Sequence, residues 1–177
     1  WMTPPSRDSA RADLAPRQTD SRSTGVPAAM DSDLERVVIS EENLARRVRE
    51  MAGDIAACYP DAEQGVTLVA VLSGSIIFLS DLIRWLPMKL RMDVVSVSSY
   101  PGATTVSKEA RLIADRDLDV AGRDVLIVDD ILDTGKTLRL VQGEVARRGA
   151  RSVRTAVLLR KPSKAPVDVM RDFVGFD

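Results

Sequence analysis

Apolar residues recur along this chain in two rhythms, a helical spacing and short, nearly unbroken runs. Leu44, Val48, Met51 and Ile55 follow one another at three- and four-residue intervals, which lines a single helix face. Ser40 stands ahead of them as a cap, Glu41 and Glu42 suit the first turn, and Tyr59-Pro60 end the segment. Val66 to Leu72 predicts a buried strand. The turn Ser73-Gly74-Ser75 follows, and then a helix from about Ile76 to Trp85, which Pro87 stops. Leu90 to Ser98 predicts a second strand, and Glu109 to Ala114 a short return strand. Between them Ser99 to Lys108 is polar and contains glycine, as a long loop would be. Asp124 to Val128 is a compact apolar strand that runs into an acidic turn and a helix to about Arg148, closed by Gly149. Ser152 to Leu159 forms another strand, ending in Arg160-Lys161-Pro162. Strands alternating with helices predict an α/β fold, a mostly parallel sheet flanked by helices on both faces.

The first 33 residues carry no such rhythm. Ser, Thr, Pro, Arg and Asp alternate there, without the apolar run of a signal peptide, and Asp8, Asp13 and Asp20 break the acid-poor pattern of a transit peptide. We therefore expect a disordered tail over 1–33 and one folded domain over 34–177. No internal repeat is present. The stretch from Val66 to Ile83 is interrupted by Ser73, Gly74, Ser75, Ser80 and Asp81, well short of the about 20 apolar residues of a membrane span.

Composition narrows the chemistry. Of 177 residues, 45% are hydrophobic and 29% charged, enough to bury a core, and the net charge of -1 gives no general attraction to nucleic acid or anionic membrane. There is no histidine, which removes Ser-His-Asp triads, Cys-His pairs and histidine-bearing zinc sites. Proton transfer falls to carboxylates, lysine or tyrosine. The single Cys58 cannot close a disulfide within the chain, fits a reducing cytoplasm, and reads as a small buried helix residue.

In open α/β sheets ligands gather beyond the carboxyl ends of the strands. Four polar groups fall there: the Ser73 turn, the loop from Ser99, the segment 129–137 and Lys161. Thr134-Gly135-Lys136-Thr137 opens a helix, so free amides, two hydroxyls and the helix dipole converge where a phosphate would sit. A P-loop would need glycine where Asp130 stands, which argues against a triphosphatase. Carboxylates beside a phosphate cradle make sense if they accept from sugar hydroxyls or face a divalent cation.

The string Val125-Leu126-Ile127-Val128-Asp129-Asp130-Ile131-Leu132-Asp133-Thr134-Gly135-Lys136-Thr137-Leu138 closely resembles the phosphoribosyl diphosphate motif of the type I phosphoribosyltransferases. Leu72-Ser73-Gly74-Ser75 looks like a pyrophosphate loop, Ser98-Ser99-Tyr100 like the start of a mobile lid, and Leu158-Leu159-Arg160-Lys161 like a base-reading strand end. With Asp172-Phe173-Val174-Gly175-Phe176, these narrow the resemblance to the hypoxanthine-guanine phosphoribosyltransferase family, over about Leu34 to the last residue.

The resemblance implies transfer of 5-phosphoribosyl from phosphoribosyl diphosphate to N9 of a 6-oxopurine, with Mg2+, in purine salvage. It implies Asp129 and Asp130 on the ribose diol and the metal, Thr134, Gly135, Lys136 and Thr137 around the 5-phosphate, and Asp133 as the proton-handling residue at purine N7. It places Lys161 and Ile131 at the base, Ser73 and Gly74 at pyrophosphate, and Ser99 and Tyr100 in the lid. A cytoplasmic homo-oligomer without nucleic-acid or membrane partners is expected. Lys161 can donate to the exocyclic oxygen of hypoxanthine or guanine, whereas adenine offers only donors there.

The chain departs from the family pattern twice. Ser73 stands where members often carry lysine, which bears on the grip on pyrophosphate. Beyond Asp177 members continue with a strand supplying an aromatic for the purine, an acid for a second magnesium and an arginine for pyrophosphate. That end, together with Trp1 in place of Met, reads as a chain cut short. Two alternatives stand at this point: a nucleotide-binding RNA attenuation regulator with the same fold, and an inactive fragment.

Overall fold

The computed structural model describes residues 36–60, 64–98, 111–113, 118–164 and 171–177. The chain divides near Glu42, and the unit Glu42–Asp177 carries the whole sheet; the tail expected over 1–33 lies outside the described residues. Among those residues three helices, α1 (Glu41–Ala57), α2 (Ser75–Ile83) and α3 (Lys136–Arg147), accompany six strands: β1 (Val66–Leu72), β2 (Leu90–Ser98), β3 (Arg111–Ile113), β4 (Asp124–Leu132), β5 (Ser152–Arg160) and β6 (Phe173–Phe176). The strands form one sheet in the order β3-β2-β1-β4-β5-β6. Of these six only β3 runs antiparallel to its neighbour, so the mostly parallel sheet read from the sequence is the observed one.

The central strands β1 and β4 are buried on both faces, which is why their sequences read as near-continuous apolar runs. Leu68, Leu126 and Val128 point into a core with Val48, Met51 and Ile55 of α1 and Phe78 and Leu82 of α2. Val69, Val125 and Ile127 point the other way, against Leu138, Val141 and Val145 of α3. Each such burial contributes about 1.5–3 kcal/mol relative to exposure. Cys58 follows α1 and packs half-buried against the first core. The edge strand β6 is held by Arg47, which donates from Nε to the Gly175 carbonyl at 3.0 Å and from Nη2 to the Val174 carbonyl at 2.7 Å.

Several boundaries differ from the sequence reading. α2 ends at Ile83, two residues before Trp85, and α3 begins at Lys136 rather than Thr134. The strand expected to stop at Val128 continues to Leu132 because Asp129, Ile131 and Leu132 pair with Val157, Leu159 and Arg160 of β5. Half of the acidic turn is therefore strand, and its polar residues take a fixed ladder register. The described residues of β3, Arg111–Ile113, lie within the return strand expected over Glu109 to Ala114.

The topology creates the site. From β1 the chain passes through α2 to β2 on one side; from β4 it passes through α3 to β5 on the other, and α2 and α3 lie on opposite faces. The sheet order reverses between β1 and β4, and such a switch point opens a crevice at the carboxyl ends of the strands.

Candidate active site

Three neighbouring strands deliver the polar residues to that crevice. β1 ends in Leu72-Ser73, joined by a cis peptide bond, and the exposed Ser73 and Gly74 lead into α2. The turn is pinned from below: Ser75, fully buried, donates from Oγ to the Val71 carbonyl at 2.5 Å, and the Ile76 amide donates to the Ser73 carbonyl at 3.3 Å.

β4 delivers the acids. Asp129 is only 6% exposed, and burial together with the adjacent Asp130 carboxylate pushes its pKa up to about 7. Its Oδ1 accepts from the Asp130 amide at 3.1 Å, and Asp130 Oδ1 accepts from the Ile131 amide at 2.9 Å. One oxygen of each carboxylate is thus fixed by backbone. The Asp130 carboxylate lies over Gly74, so closely that a side chain at position 74 would overlap it.

Beyond β4 the chain turns through Asp133, Thr134 and Gly135. Gly135 adopts φ 70°, a left-handed conformation that glycine takes without strain, and this swings the chain into α3. A 210 Å³ cavity sits under the turn, lined by Asp129, Ile131, Leu132, Asp133 and residues 134–138. The structure therefore gathers most of the predicted phosphoribosyl set in one concavity at a helix N-terminus, where amides and the helix dipole favour an anion; Asp130 does not line it, and its carboxylate lies against Gly74. Leu132 and Leu138 form its apolar floor and were not singled out from the sequence. As core residues of a strand and a helix, they carry no polar signal.

Lys161 follows β5, whose neighbour is β4. Its amide donates to the Leu132 carbonyl at 3.0 Å, and its Nζ lies 3.4 Å from Asp133 Oδ2. Asp133 Oδ1 is buried with no hydrogen-bond partner among the described residues. Ile131 is 37% exposed beside them, an apolar side chain at the rim. Neither Lys161 nor Ser73 and Gly74 line the cavity itself; they flank it through Asp133 and Asp130. The lid residues Ser99 and Tyr100 lie outside the described residues.

Among the described residues no three His, Cys, Asp or Glu side chains converge as a metal cage, and no helix is long and apolar enough to cross a membrane. Asp129 and Asp130 offer a pair of carboxylates with oxygens left over from their backbone bonds.

Comparison with known proteins agrees with this geometry. The model of the phosphoribosyl transferase domain matches residues 39–177. The hypoxanthine-guanine phosphoribosyltransferase of Bacillus subtilis (strain 168) is 39% identical over 148 residues, 84% of this chain and 81% of that protein. Among solved structures, a hypoxanthine phosphoribosyltransferase from Staphylococcus aureus superposes with a TM-score of 0.74 at 30% identity, covering 85% of this chain and 82% of its own. A hypoxanthine-guanine phosphoribosyltransferase from Bacillus anthracis str. 'Ames Ancestor' gives 0.72 at 33% identity, covering 81% and 83%. With its acidic strand end, glycine turn and amide cradle set at the switch point of the sheet, the chain belongs to the phosphoribosyltransferase family, in its hypoxanthine-guanine branch.

Proposed function

We propose that this protein transfers the 5-phosphoribosyl group of phosphoribosyl diphosphate to N9 of hypoxanthine or guanine, giving IMP or GMP and pyrophosphate in purine salvage. The observation that carries this is the cavity lined by Asp129, Asp133 and residues 134–138 at the start of α3, with Asp130, the next residue of β4 after Asp129, against Gly74. The names of its relatives support the same substrates.

In this reading the residues 134–137 hold the 5-phosphate on the α3 N-terminus, and Asp129 and Asp130 accept from the ribose hydroxyls. As the C1–oxygen bond to pyrophosphate breaks and the C1–N9 bond forms, positive charge develops on the sugar, and the nearby carboxylates stabilise it. Asp133 handles the proton at purine N7. Its unpartnered Oδ1 leaves an acceptor unused among the described residues. Lys161 donates to the 6-oxygen, and Ile131 packs on the base. Ser73 and Gly74 offer backbone amides to pyrophosphate.

A magnesium ion fits this donor set: Mg2+ is typically held by one or two carboxylates with the remainder of its shell from substrate oxygens and water, and Asp129 and Asp130 supply two. Bound there, it would neutralise charge on the departing pyrophosphate. We also propose a cytoplasmic homo-oligomer. The lone Cys58 fits a reducing compartment, and α2 and β2 expose Ile76, Ile77, Met92 and Val94, apolar surface suited to a second copy.

The test is turnover with phosphoribosyl diphosphate, magnesium and each of hypoxanthine, guanine, xanthine, adenine and uracil. Product from the 6-oxopurines and none from adenine or uracil is expected; product from uracil alone overturns the assignment.

A further inference from the structure

Gly74 is not there for conformational freedom. Its backbone sits at φ −61°, ψ −38° as the N-cap of α2, a right-handed conformation that alanine adopts more readily than glycine. What glycine provides is space. A Cβ at this position would lie 2.6 Å from Cγ of Asp130 and would overlap Oδ2.

Neither side of that contact yields freely. The turn is anchored by the buried Ser75 hydroxyl on the Val71 carbonyl and by the Ile76 amide on the Ser73 carbonyl. The Asp130 carboxylate is anchored by the Ile131 amide, and the Asp130 amide by Asp129 Oδ1. Asp130 is a short side chain, half-buried, and rotating it away from position 74 breaks its bond to Ile131 and moves its free oxygen. The displacement falls on a group that grips the sugar.

We infer that Gly74 is a positioning residue for Asp130: the β1–α2 turn carries glycine so that the carboxylate at the end of β4 can lie across the switch point and present its oxygen to the ribose diol. This rests on the phosphoribosyl-transfer reading of the site. It differs from a role for Gly74 in approaching pyrophosphate, because it acts on a ligand that contains no pyrophosphate.

The experiment is a double-mutant cycle on the full chain. Binding of GMP is measured by titration calorimetry in EDTA for wild type, Gly74→Ala, Asp130→Ala and the double variant, with melting temperatures for all four. Gly74→Ala is expected to weaken GMP about tenfold, the loss of a charge-assisted hydrogen bond or two, yet to add almost nothing in the Asp130→Ala background. In turnover the KM for phosphoribosyl diphosphate rises while that for the base holds. Equal losses in both backgrounds overturn the inference, as does failure of Gly74→Ala to fold, since glycine would then serve the chain itself. Absence of GMP binding by the wild type overturns the functional reading, and this inference with it, and is told apart by the wild-type arm alone.

Discussion

Lys161 Nζ lies 3.4 Å from Asp133 Oδ2, so the end of β5 and the turn ahead of α3 are tied by a charged pair. The side chains are 49% and 37% exposed, and pairs of that exposure contribute only about 0–1 kcal/mol. The tie is therefore easily exchanged for contacts to a ligand. In the proposed function both groups face the purine, the amine as donor and the carboxylate as acceptor.

Asp133→Asn keeps the shape of the side chain and removes its basicity. We expect kcat to fall by about 10²–10⁴-fold, the usual range for a lost acid-base group, while GMP affinity measured by calorimetry holds. Unchanged kcat would remove Asp133 from the proton-handling role.

Lys161→Met retains the stem and deletes the donor. The KM for hypoxanthine and guanine is expected to rise about tenfold or more, and the discrimination against adenine to narrow, since rejection rests on a donor that adenine cannot satisfy. Initial-rate kinetics with all three bases checks both halves.

Two glycines near one another in sequence should respond in opposite ways. Gly135, at φ 70°, has no comfortable L-residue substitute; Gly135→Ala is expected to cost about 1–2 kcal/mol, and with about 2–4 °C per kcal/mol for a chain of this size the melting temperature drops by several degrees. GMP affinity falls with it. Gly143, inside α3, has nothing within 4 Å of the point where a Cβ would lie, so Gly143→Ala is expected to stabilise by about 0.5–1 kcal/mol. Calorimetric melting separates the two.

At the other end of the sheet Asp124 accepts from Arg151 Nε at 3.0 Å and from the Ser152 hydroxyl at 2.6 Å, and Arg151 hydrogen bonding holds its pKa below the ordinary carboxylate value. A depressed folded-state pKa contributes stability above the unfolded value near 3.9 that is lost as pH falls through and below it. Asp124→Asn should therefore melt below wild type at pH 7, with the gap closing as the pH falls below that unfolded value. A gap that widened on acidification would show the sign to be wrong.

If the exposed Ile76, Ile77, Met92 and Val94 meet a second copy, Ile77→Lys places a charge in that contact. Sedimentation velocity should then report a smaller species than wild type, with the fold retained by circular dichroism. The same species for both proteins would remove this surface from the assembly.

The chain's local chemistry fixed much in advance. The apolar runs of β1 and β4 announced strands buried on two faces, and the three- and four-residue spacing of Leu44 to Ile55 announced α1, because each of these is a relation between residues close in sequence; the string from Val125 to Leu138 carried the resemblance to the family to which the chain belongs. The limits of the strands were less legible: β4 runs on through Asp129 to Leu132 because β5 lends it a hydrogen-bonding edge, which no local preference of Asp-Asp-Ile-Leu reveals. The meeting of Gly74 with Asp130, and of Lys161 with Asp133, joins residues 56 and 28 positions apart. Only the strand order β1-β4-β5 brings those ends side by side. Side-chain types and short-range spacing marked the main strands and helices and the acidic turn ahead of α3; the parallel stacking of distant strands decided which groups face one another, because contacts across a sheet depend on register and crossover.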